Sequence, residues 1–162
     1  MIISPEAIRA VRPIAENVND SKRLIPYIDE CEKFFLMKAI GPAQYKLLDS
    51  DPKPENFETI MDGGFYDNNT KHFAGLRQAM GYLVYSRFVR NQNVNATAFG
   101  LVAKQGQFSD PVDDRSIVRI ANDAEKIGLE YLRQCVDYLN FGKSGCATKN
   151  LRVKSKFKAI GG

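Results

Sequence analysis

The sequence predicts an all-α protein: a small helical bundle of three main helices plus short helices, with an extended arm or hairpin loop (93–111) and an extended C-terminal tail. Three observations predict it. Apolar residues recur at three- and four-residue steps over 20–40, 70–91 and 113–141, the spacing that lines one face of an α-helix. Breakers stand between these segments at Pro13, Gly41-Pro42, Gly63-Gly64 and Gly142. Two-residue alternation, the mark of extended chain, is confined to the C-terminal end.

The elements follow in order. Ser4-Pro5-Glu6 opens a short helix with a capping hydroxyl, a proline at the first helical position and an acid in the first turn; Pro13 interrupts it. Asp20 opens a stronger helix on Leu24, Ile28, Cys31 and Phe35, widened by Ile25 and Phe34 and stopped by Gly41-Pro42. "PAQYKLLDSD" and "ENFETIMDGG" read as short helices around the breaker cluster "DPKPENF". A long helix is expected from Thr70 to Asn91, with Phe73, Leu76, Met80, Leu83 or Val84, and Phe88 on one face. Arg77, Arg87 and Arg90 fall largely outside that face. The last helix takes Asp113 or Asp114 as its cap and Ile117, Ile120, Ala121, Ala124, Ile127, Tyr131, Cys135 and Leu139 as its stripe. Gly142 is expected to close it.

Charge is unevenly placed. The net of +4 hides six basic residues and no acid over 143–162, which leaves 17 basic and 19 acidic side chains in the first 142 residues. A nearly neutral body therefore carries a basic tail. In the tail, Leu151, Val153, Phe157 and Ile160 alternate with Arg152, Lys154, Lys156 and Lys158, a pattern suited to a segment that orders on a partner. Nucleic-acid phosphates, an acidic protein surface or plain solvation are its three readings. No apolar run approaches a membrane span, and the start lacks the features of a signal peptide.

Chemistry is hard to assemble from these residues. His72 is the only histidine, and no phosphate-cradling glycine motif occurs. Cys31, Cys135 and Cys146 form no close pair, and buried thiols are expected at the first two. "DPVDDRS" and "DSDP" lack calcium-loop spacing. Acid pairs such as Asp29 with Glu32, or Asp123 with Glu130, read as solvated helix faces. We therefore expect no enzyme, no metal and no cofactor. Tyr82, Tyr85 and Phe88 are either an interface patch or core filling, with core expected for Phe88.

Several stretches together resemble the small connector (adaptor) proteins of tailed bacteriophages, of the type found in Bacteroidetes and crAss-like phages. "SKRLIPYIDECEKFFLMKAIGPAQYKLL" is similar to their opening helix, turn and short second helix. "LRQAMGYLVYSRFVRNQNVNATAFGLVAKQ" is similar to their middle helix running into a "GLVxK" stretch, followed here by Ser109-Asp110-Pro111. The ending "YLRQCVDYLN" completes the pattern, and the coverage is residues 5–142.

The resemblance implies a virion structural protein at the portal vertex, made in the host bacterial cytoplasm: a head–tail connector forming a dodecameric ring beneath the portal. Its implied partners are itself, the portal protein and further tail or ring proteins, with packaged DNA close by and no membrane. It divides the chain into a helical connector domain (1–142) and a basic extended tail (143–162). An apolar arm suits a ring, because head-to-tail symmetry joins unlike surfaces of neighbouring subunits. Phe99, Gly100, Leu101, Val102 and Phe108 are the expected subunit or portal contacts; an intramolecular hairpin folded over the helices is the other reading. The alternative function is a helical nucleic-acid-binding protein using the basic tail.

Overall fold

The computed structural model describes residues 1–12, 14, 18–91, 94–97, 100–103 and 113–143. The chain is mainly helical, with two small two-stranded antiparallel sheets. Helix α1 is Pro5–Val11. The Ser4 hydroxyl accepts the Ala7 N–H at 3.3 Å, which satisfies one of the donors a helix start leaves open. Arg12 is already extended (φ −138°, ψ 135°), as the residue before a proline must be.

Residues 20–40 form one continuous helical segment, α2, but its winding alternates. Asp20–Leu24 and Glu32–Leu36 are π-wound, and Ile25–Cys31 and Met37–Ile40 are α-wound. Asn19 caps it, accepting the Lys22 N–H at 2.9 Å. The second wide turn shifts the phase of the apolar stripe. Leu24, Ile28 and Cys31 are buried as the spacing predicts, but the next core position is Leu36 rather than Phe35. Phe35 is half-buried, and Phe34, expected to widen the core stripe, is 55% exposed. Helix α3 is Pro42–Asp49 and α4 is Phe57–Asp62, both close to the sequence expectation.

The helix expected from Thr70 starts later. Gly64–Tyr66 (β1) and Lys71–Phe73 (β2) pair as an antiparallel hairpin, Gly64 opposite Phe73 and Tyr66 opposite Lys71. Asp67, Asn68 and Asn69 all take positive φ at its tip, a conformation that Asp and Asn tolerate better than other side chains. Gly75 (φ 84°) then breaks the chain before helix α5, Leu76–Asn91. Phe73 is in the core as expected, but it arrives there from a strand. Gly63 and Gly75 lie back to back: a Cβ on Gly63 would sit 2.4 Å from the Phe73 carbonyl oxygen. That close approach fixes the hairpin at the joint between α4 and α5.

Helix α5 is the central element, buried at nine of its positions from Leu76 to Val89. Its largest partner is the last helix, α6, Asp114–Lys143, which runs through Gly142 instead of stopping there. A Cβ on Gly128 would meet Leu83 at 2.8 Å and the Ala79 carbonyl at 3.0 Å, so glycine sets how closely α5 and α6 approach. Ile117, Ala121, Ala124, Leu132 and Cys135 of α6 are buried. Ile120 and Ile127, expected in the same stripe, are 42% and 36% exposed. The stripe read from spacing was too wide by that flank, and Leu132 takes the core place on the other side. Arg90 of α5 bonds Asn122 at 2.7 Å and Glu125 at 3.1 Å, an ion pair between the two long helices.

Candidate functional site

The expected arm contains a second hairpin. Val94–Thr97 (β3) pairs with Gly100–Ala103 (β4), with Val94 opposite Ala103 and Thr97 opposite Gly100. Gly100, Leu101 and Val102 therefore belong to one strand of a two-stranded ribbon. Phe99 and Phe108 lie outside the described residues, as do the tail positions Leu151, Arg152, Val153, Lys154, Lys156, Phe157, Lys158 and Ile160.

Elsewhere the most constrained polar group is Glu32, which sequence spacing had placed on a solvated face. It is 1% exposed. The second π turn of α2 directs it under the amino-terminal segment, where Oε1 accepts the N–H of Ile2 at 2.6 Å and of Ile3 at 2.9 Å. Tyr45 of α3 donates its hydroxyl to Oε2 at 2.8 Å. One carboxylate thus gathers the chain start, α2 and α3, with its charge shared by three donors. Burial, with the hydrogen bond to Glu32 second, pushes the Tyr45 phenol well above its ordinary range. No sequence signal marks this group, because its partners lie 29, 30 and 13 residues away.

The arginines work on aromatic and acidic neighbours. Arg12 lies over the rings of Tyr82 (4.3 Å) and Tyr85 (5.2 Å), and Tyr82 meets Tyr131 of α6 edge-on. Phe88 is buried, and the two tyrosines are half-buried beneath Arg12. Arg87 lies over Phe35 and faces Glu30 at 3.6 Å. Tyr138 stacks on Phe73 at 4.1 Å and meets Tyr66 edge-on, so the end of α6 closes over the β1–β2 hairpin. His72 is exposed on β2 against Phe65. Cys31 and Cys135 are buried, and burial pushes both thiols up to about 12.

A cleft of about 550 Å³ opens between α1, α4 and the start of α5. Ile2, Phe57 and Met61 contribute apolar surface, and Glu6, Asp62 and Arg77 stand at its rim. Arg77 is bonded to Asp62 and, at 3.0 Å, to Glu58. Among the described residues no helix is long and apolar enough to cross a membrane.

No curated protein and no solved structure matches the chain. Residues 36–144, which run from the end of the second π turn through α6, match one family model across well over half of the chain. The chain belongs to DUF6712, a family of unknown function.

Proposed function

We propose that the chain is a virion structural protein, a head–tail connector of a tailed bacteriophage. In this reading a three-helix bundle of α2, α5 and α6 is the protomer of a dodecameric ring beneath the portal. The ring extends the DNA channel and links capsid to tail at the portal vertex. The arm (93–111) makes subunit or portal contacts, and the basic tail (143–162) orders on the portal protein. The chain performs no catalysis.

The observation that carries the reading is the arm. Its β3–β4 ribbon has only two strands, so among the described residues both outer edges lack a neighbouring strand. Unpaired edges are a liability in a lone protomer and an asset where a neighbour covers or extends them. The ordered resemblance to phage connectors over 5–142 supports the same reading. The test is copy number: quantitative mass spectrometry of purified virions against the portal protein. A ratio near unity supports a portal-matched ring. Absence from the particle overturns the reading and brings forward a nucleic-acid-binding role for the tail.

A further inference from the structure

We propose that the cleft between α1, α4 and α5 is the seat of this chain's own basic C-terminal segment, residues 151–158. The seat is a property of the free protomer: on the connector reading the portal protein draws the segment out of it, and the test uses the free chain, so its failure and that of the connector reading are distinguishable.

The first argument is chemical fit. In an extended chain successive side chains point to opposite faces. Leu151, Val153 and Phe157 then share one face and Arg152, Lys154, Lys156 and Lys158 the other. The cleft offers the complement, with an apolar lining of Ile2, Phe57 and Met61 and a rim carrying Glu6 and Asp62. Glu58 lies just outside and with Asp62 pairs Arg77, so among the described residues of the rim and its edge three acids, Glu6, Glu58 and Asp62, stand against one cation. Lys53, which does not line the cleft, lies over the Phe57 ring at 5.1 Å and donates its ammonium to the Leu48 carbonyl at 3.0 Å.

The second argument is reach, and it favours the chain's own segment over a second copy's. Helix α6 ends at Lys143. Its last turns pack on the β1–β2 hairpin, with Phe141 5.3 Å from Tyr66 and Tyr138 4.1 Å from Phe73. That hairpin is joined through Gly63 to α4, which forms a wall of the cleft. The chain therefore leaves α6 one element away from the cleft. Residues 144–150 span roughly 23 Å when extended, enough to pass the hairpin.

The experiment uses the full chain with Cys146→Ser and Ser155→Cys, carrying a nitroxide at the new cysteine. Amide signals are read by NMR in isotope-labelled protein. We expect intensity loss at Glu6, Ala7, Phe57 and Gln78, and none when labelled untagged chain is mixed with unlabelled tagged chain. Full intensity at these amides overturns the proposal. Comparable loss in the mixed sample also overturns it, because the segment then seats in a second copy. Glu6→Lys with Glu58→Lys, two exposed positions, is expected to restore the intensity at Phe57 and Gln78. Unchanged broadening in that variant would sink the charge-complementary seat.

Discussion

Glu32 shows how much a single side chain can decide. Replacing it by alanine leaves two backbone N–H groups and the Tyr45 hydroxyl without their acceptor. We expect Glu32→Ala to cost roughly 3 kcal/mol in chemical denaturation, since a buried donor without a partner carries its full desolvation penalty. Glu32→Gln keeps one acceptor oxygen and should cost about half as much. A second prediction concerns alkaline pH. Cys31 and Cys135 are held near 12 in the fold against 9.0 for a free thiol, so folding favours the protonated form. Their contribution is fully present below pH 9, and it is lost as the pH rises from about 9 through 12. Tyr45 acts in the same direction. The denaturation midpoint should fall across that window, and Cys31→Ala with Cys135→Ala should flatten the decline. At neutral pH neither thiol should react with a thiol reagent until denaturant is added.

At the scale of elements, the two positive-φ glycines with the clearest contrast are Gly63 and Gly41. Both need the left-handed backbone, at φ 81° and 85°. A Cβ at Gly41 meets open space, whereas one at Gly63 collides with the backbone of Phe73, Ala74 and Gly75. Gly41→Ala should cost about 1 kcal/mol and Gly63→Ala roughly 3 kcal/mol or more, read from thermal unfolding. Equal costs would show that strain alone, and not the joint, matters at Gly63. The same scale shows what sequence can reveal. Helices α1, α3, α4 and α6 were legible because caps, prolines and apolar spacing agree locally. The β1–β2 hairpin was not, because Phe73 stands three residues before Leu76 and so keeps helical phase by coincidence. The left-handed tip at Asp67–Asn69 needs no glycine, so the usual turn signal was missing. The π turn at Glu32–Leu36 moved a core position by one residue, which no periodicity count anticipates. Of the candidate site, the arm's extended character was legible at Gly100–Ala103, while the cleft and Glu32 arise from contacts distant in sequence.

For the whole molecule, the division between body and tail makes the clearest prediction. Among the described residues the core cluster draws its buried members from Ile3 to Cys135, all within the body. Deleting 143–162 should therefore leave a folded body with its helical content nearly unchanged. On the connector reading the same deletion abolishes co-purification with the portal protein. Full-copy assembly of the truncated chain on the portal would remove the tail from that role.

Helix α5 has a further consequence for how the molecule comes to be made. It is buried at nine positions, and its main wall is α6, the last described helix to leave the ribosome. Between the synthesis of Asn91 and that of Cys135, α5 lacks its main wall, and Leu83, against which Gly128 of α6 packs, is left uncovered. The nascent body cannot settle piece by piece; α5 must wait for α6. Ribosome stalling before α6 should thus yield chains that bind chaperones and are quickly proteolysed, whereas chains whose α6 has cleared the ribosome should not.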